Sequence, residues 1–131
     1  MDMGCIFCKI IKGEIPCYKV YEDDQFFAFL DIRPTNKGHC LVVPKNHYRW
    51  VWDVNEDYSK IVNKIANAQK KAFETSWVVS FVMGEEVPHA HIHLVPRFEN
   101  DGHGPLINLE SVKEFSKEEM QEFATRIKNF L

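Results

Sequence analysis

From residue 89 to residue 96 the chain alternates histidine with apolar side chains: His89-Ala90-His91-Ile92-His93-Leu94, then Val95-Pro96. A period of two predicts a β-strand, because successive side chains on a strand point to opposite faces. Ala90, Ile92 and Leu94 then face a core. His89, His91 and His93 form a row on the other face, with about 7 Å from one to the next. Weaker alternation and aromatic-rich runs predict strands over 18–21, 25–30, 39–44 and 77–82. The polar turn Glu22-Asp23-Asp24 makes a hairpin of the first two. Gly84-Glu85-Glu86-Val87-Pro88 turns the strand 77–82 antiparallel onto the histidine strand.

Helical spacing occurs three times. Ile6, Phe7, Ile10 and Ile11 predict one or two turns over 5–12, stopped by Gly13. Tyr58, Ile61, Val62, Ile65, Ala68, Ala72 and Phe73 predict a long helix over 56–74, with Asn55 as its N-cap. Met120, Phe123, Ala124, Ile127 and Phe130 predict a C-terminal helix over about 116–130. A Ser116–Glu119 capping box opens it, and Phe115 can staple onto Met120. Both long stripes read as packing surfaces. Together these elements predict a single α+β domain over residues 1–131, with a mainly antiparallel sheet of about five strands.

Composition narrows the function classes. In a chain of 131 residues, 45 % apolar with ten Phe, a sizeable core is available. A net charge of −3 argues against a nucleic-acid duplex as partner. The apolar runs are too short to span a bilayer, and Met1-Asp2-Met3-Gly4 lacks the basic start of a signal peptide. The expectation is a cytoplasmic protein with no membrane partner. Its four cysteines, Cys5, Cys8, Cys17 and Cys40, are then expected to be reduced. Cys5-x-x-Cys8 asks for a metal or redox role and needs two further ligands. A row of imidazoles is costly to bury unpaired and titrates near neutrality, so it reads as a site that binds metal, moves protons or attacks an electrophile.

The run His89-Ala-His-Ile-His-Leu-Val resembles the His-φ-His-φ-His-φ-φ pattern of the histidine triad family, with φ apolar. The likeness extends through Phe7-Cys-Lys-Ile-Ile-Lys-Gly-Glu-Ile-Pro16, Phe29-Leu-Asp-Ile-Arg-Pro34, Gly38-His-Cys-Leu-Val-Val-Pro-Lys-Asn-His47 and Gly84-Glu-Glu-Val-Pro-His89. It implies a small homodimeric fold that binds a purine nucleotide and cleaves or transfers at its α-phosphate. The substrate classes implied are nucleoside phosphoramidates, adenylylated amines and dinucleoside polyphosphates. His91 would be the nucleophile, with His89, His93 and His39 as its neighbours. Asp31 would accept the ribose hydroxyls, and Phe7, Ile10, Phe29 and Ile32 would line the base pocket. Gly84 and Glu86 would border the phosphate.

The Cys5–Cys8 pair and the C-terminal helix resemble the bacterial and archaeal branch, in which His47 and His89 would complete a structural zinc site. No organic cofactor is implied. Two departures stand out: the loop before the triad is short, and Glu86 takes a place where members often carry Ser or Thr. They keep open a nucleotide-binding regulator with little turnover. A third reading, a metal-dependent hydrolase with the triad as ligands, competes with the Cys5, Cys8 and His47 set. The dimer is expected to form through the helix 56–74 and the edge of the strand 77–82, because that helix looks too apolar for a small sheet to cover.

Overall fold

The structure, a computed structural model, describes residues 4–131. Residues 1–3, part of the start read above as unlike a signal peptide, lie outside the described residues. The elements run α1 (Ile6–Ile11), β1 (Lys19–Glu22), β2 (Phe26–Leu30), β3 (Cys40–Pro44), α2 (Tyr58–Phe73), β4 (Val78–Phe81), β5 (Ile92–Pro96) and α3 (Lys117–Lys128). A 3-10 turn, Val51–Asp53, lies between β3 and α2. The five strands form one antiparallel sheet in the order β1-β2-β3-β5-β4. The fold is α+β.

The sheet is covered on both faces, which explains why β2 and β3 are apolar throughout rather than alternating. Phe26, Ala28, Leu30, Cys40, Val42 and Leu94 meet Ile61, Ile65 and Phe73 of α2 and Phe123 and Ile127 of α3. Phe27, Phe29, Leu41 and Val43 meet Phe7, Cys8 and Ile10 of α1 on the opposite face. Adjacent residues of one strand thus serve two cores, as a period of two requires.

Buried Gln69 of α2 donates to the carbonyls of Gly38 (2.9 Å) and Leu94 (3.0 Å), tying the helix to the entry of β3 and to β5. Gly38 has φ +80°, and a Cβ there would stand 2.3 Å from the Phe73 ring, so only glycine lets the chain turn into β3 at this place.

Three expectations differ from the structure. The stripe of α2 is covered within one chain, with Ile65, Ala68 and Phe73 buried under α3 and the sheet. The dimer expectation took no account of the cover α3 supplies. Asp57, not Asn55, caps α2, its side chain accepting from the Lys60 N–H. The histidine strand begins at Ile92 rather than His89, because the Ala90 N–H is taken by the Tyr48 carbonyl (2.7 Å) and not by β3. The α3 capping box forms as expected, while Phe115 packs edge-on to Phe123 at 5.0 Å.

After β5 the chain returns over the open end of the sheet. Buried Arg97 bonds Asp101 (Nε to Oδ2, 2.8 Å), and Asp101 also accepts from Asn36 (2.9 Å). Lys113 Nζ reaches the Thr35 carbonyl (3.1 Å) and the Asn36 side chain, and His103 Nε2 donates to the same Thr35 carbonyl (2.8 Å). The segment 97–113 therefore clamps the loop that leads into His39.

Candidate active site

On the α1 side of the sheet lies a cleft of about 310 Å³. Phe7, Ile10, Phe29, Asp31, Ile32, Gly84 and Glu86 all line it, as do His91 and His93. His39 and His89 do not. Sequence reading missed other wall residues, among them Ile15, Cys17, Arg33, Leu41, Met83 and Val87. Leu41 could have been found from strand parity, since it shares the face of Phe27 and Phe29 across the β2–β3 register.

Backbone groups settle which nitrogen of each histidine carries its proton. The His89 carbonyl lies 2.7 Å from His91 Nδ1, so that nitrogen donates and Nε2 keeps its lone pair. The Thr35 N–H points to His39 Nδ1 at 3.1 Å, so the proton of neutral His39 sits on Nε2. Nε2 donates to His93 Nδ1 at 2.9 Å, leaving the His93 proton on Nε2. The Pro44 carbonyl takes the His89 Nε2 proton at 2.8 Å, and His89 Nδ1 is then an acceptor.

Burial keeps these rings neutral. It lowers His39 to about 4 and His89 to about 4. His93 is lowered to about 3, by burial first and then by the neighbouring His39 and His91. His91 is lowered too, again mainly by burial. Phe81 stacks on His93 at 4.4 Å with 12° between ring planes, a contact implied by the Phe81↔His93 pairing of β4 with β5. Phe7 meets His91 edge-on at 5.1 Å. Asp31 accepts from the Arg33 N–H (2.9 Å), and burial raises its carboxyl above the usual range.

Among the described residues, two groups of side chains have metal-ligand types in reach of one another. Asp31, His39 and His93 form one. His39 Nε2 carries the hydrogen it donates to His93, so it has no lone pair to offer there. Cys5, Cys8, His47 and His89 form the other, with ligand atoms within 4.8 Å of one another. Cys5 Sγ and Cys8 Sγ lie 3.3 and 3.5 Å from His89 Nδ1, and Cys8 Sγ lies 3.3 Å from His47 Nδ1. The Pro44 carbonyl fixes His89 in the tautomer that a metal needs. His89 thus turns its ring to the cysteines and only its carbonyl to His91.

The chain is similar to known proteins in sequence and in fold. A family model described as HIT domain matches residues 12–100. An uncharacterized HIT-like protein of Borreliella burgdorferi is 42 % identical, over 89 % of this chain and 94 % of its own length. A protein of Saccharomyces cerevisiae named adenosine 5′-monophosphoramidase is 38 % identical, over 74 % of this chain and 65 % of its own. An Arabidopsis thaliana protein named adenylylsulfatase is 40 % identical, over 77 % and 56 %. Among solved structures, a Hit-like protein of Bartonella henselae superposes with a TM-score of 0.83 at 35 % identity, covering 100 % of this chain and 98 % of that one. A Zn-bound histidine triad protein of Mycobacterium smegmatis gives 0.75 at 25 % identity, covering 98 % and 93 %.

Proposed function

Because the chain belongs to the histidine triad (HIT) family, we propose that it hydrolyses nucleotide conjugates at the α-phosphate, with His91 as the nucleophile. One observation carries the reading: the His89 carbonyl holds the proton of His91 on Nδ1, leaving an Nε2 lone pair on a ring that lines the cleft. Neutral imidazole with a free nitrogen is a competent nucleophile at pH 7. Phe7, Ile10, Phe29 and Ile32 enclose a purine base, and Asp31 receives the ribose hydroxyls.

The Nε2 pair forms a bond to phosphorus while the bond to the leaving group breaks and its electrons depart with that group; an amine takes up a proton from solvent as it leaves, and a phosphate leaves as the anion. Water then attacks phosphorus and releases its proton to solvent, and the Nε2–P bond returns its pair to His91. His93 touches the reacting phosphate through its Nε2–H, which meets charge that grows in the transition state. His39 lies behind His93 and acts through it, as a positioning residue. The names of two relatives, adenosine 5′-monophosphoramidase and adenylylsulfatase, support a nucleotide conjugate as substrate.

Cys5, Cys8, His47 and His89 suit a structural zinc ion. Tetrahedral zinc holds bound sulfur and nitrogen about 3.5 Å apart, close to the spacings found here. The ion would join α1 to the end of β3 and to the approach to β5, and would stiffen the carbonyl that orients His91. The chain would pair with a second copy along the outer edge of β4, where Trp77, Val82 and Met83 are exposed and where Leu106 and Leu109 line a groove with Val79 and Met83.

Glu86 favours a second reading, a nucleotide-binding regulator with little turnover, because its carboxylate lines the cleft that an anionic phosphate must enter. Adenosine 5′-phosphoramidate with and without chelator separates the cases. Chelator-insensitive AMP release supports the hydrolase, binding without release supports the regulator, and loss of release with chelator in folded protein supports metal-dependent chemistry.

A further inference from the structure

Behind His39 a row of hydrogen bonds runs in one direction. The Lys113 N–H donates to the Pro34 carbonyl at 2.8 Å. The same Pro34–Thr35 peptide turns its own N–H to His39 Nδ1 at 3.1 Å, and the Thr35 hydroxyl stands 3.2 Å from that nitrogen. His39 Nε2 donates to His93 Nδ1 at 2.9 Å, while Asp31 Oδ2 is farther off at 3.6 Å. His93 lines the cleft and carries its own proton on Nε2. Each group in the row accepts on its outer side and donates on its inner side. A group that accepts a hydrogen bond becomes a better donor, so polarisation adds along such a row. The peptide carries the effect as well, because its C=O and N–H share one resonance system.

The outer end of the row holds a cation. Lys113 Nζ donates to the Thr35 carbonyl (3.1 Å), the Asn36 side chain and the Asp101 carbonyl (2.6 Å). Three acceptors match the three N–H groups of an ammonium. Burial lowers the proton affinity of Lys113, and the charge of Asp101 opposes that. Thr35 and Asn36 are buried, so little water screens the charge from the row. His103 Nε2 donates to the same Thr35 carbonyl, but its Nδ1 accepts the Asn108 N–H, and Arg97 is paired with Asp101. The Lys113 ammonium is thus the cation directed at this loop. Asp101 is fixed in turn by Arg97 and by the N–H groups of Phe98 and His103.

We propose that Lys113 is a positioning residue for the phosphate step: acting through Pro34, Thr35 and His39, it strengthens the N–H that His93 presents to the phosphate. This role rests on the hydrolase reading above and extends its machinery to the strap that follows β5. Negative charge that grows on the phosphate draws on every bond of the row, and the ground state draws on them less. The effect therefore belongs to kcat rather than to substrate binding.

Steady-state kinetics with adenosine 5′-phosphoramidate and proton NMR of protein carrying isotope-labelled histidine test this on wild type, Lys113→Met, Lys113→Gln and Lys113→Arg. The two neutral variants should lower kcat about tenfold and leave KM within about threefold, a smaller loss than removal of His39 itself. Lys113→Arg keeps the charge and should recover most of the loss. In the free protein the His39 Nε2–H resonance should move upfield in both neutral variants and return in Lys113→Arg. Lys113→Gln, which retains a donor, carries the test if Lys113→Met does not fold. An unshifted resonance in a folded neutral variant, an unchanged kcat, or a KM rise as large as the kcat fall overturns the role. Equal losses in Lys113→Arg and Lys113→Met overturn it too, since the charge then contributes nothing. Absence of AMP release by wild type overturns the hydrolase reading instead; the resonance then decides the row by itself, a shift upholding it and no shift overturning it.

Discussion

His91 Nδ1 sits 2.7 Å from the backbone carbonyl of His89, while the His89 ring faces the opposite way, toward Cys5 and Cys8. One residue thereby serves two sites: its main chain orients the nucleophile and its side chain completes a metal-ligand cluster. The cluster and the cleft are mechanically linked through two bonds of the same backbone.

His39 is predicted to act only through His93. His39→Ala should lower kcat by about 10²-fold, within the range for loss of one acid–base or orienting partner, and leave KM within about threefold. His39→Asn, which can still donate toward His93, should recover part of the loss. Steady-state kinetics with adenosine 5′-phosphoramidate checks this, and a KM effect that dominates the kcat effect would argue for direct substrate contact.

The buried histidines fix a pH signature. His39 near 4 and His93 near 3 stay neutral in the fold, while the unfolded chain takes up protons from about 6.5 downward. Their contribution to stability is therefore complete above pH 6.5 and is lost as pH falls toward 4. Urea midpoints at pH 7, 5.5 and 4.5 should fall in that order. His93→Gln, which does not titrate but can still accept from His39, should flatten the slope. An equal slope in the variant would count against it.

Protein purified without added metal should contain about one zinc per chain. Cys8→Ala should lose most of it and melt at a lower temperature, with a smaller effect on AMP affinity than on stability. Elemental analysis and thermal melts are the readouts. A metal-free wild type whose melting temperature ignores added zinc would show that the four residues pack as an apo cluster.

Sedimentation at micromolar concentration should show a dimer of the 15.4 kDa chain. Ser80→Pro on the outer β4 strand, where alternation from the Arg97 N–H to Trp77 carbonyl bond turns the residue-80 N–H away from β5, removes an edge N–H and should shift the population to monomer. A wild-type monomer, or a Ser80→Pro dimer of unchanged affinity, would contradict an edge-to-edge interface.

Much of this site was legible before any coordinates. Residue type placed a histidine row beside an apolar pocket, and β2 carried its aromatics in a run that only a doubly covered strand needs. The extent of the histidine strand was not legible, because Tyr48, forty-two positions from Ala90, takes the N–H that β3 would have used. Which ring nitrogens of His39 and His89 carry the proton was hidden for a related reason: each depends on a distant backbone group, Thr35 for one and Pro44 for the other.

The most direct test of the account is mass spectrometry of acid-quenched protein after a brief pulse of adenosine 5′-phosphoramidate. Wild type should carry an acid-labile adenylyl adduct on the peptide containing His91, and His91→Ala should carry none and release no AMP while still binding it. AMP release by His91→Ala at the wild-type rate, or an adduct mapped to another residue, would contradict the assignment of His91 as the nucleophile.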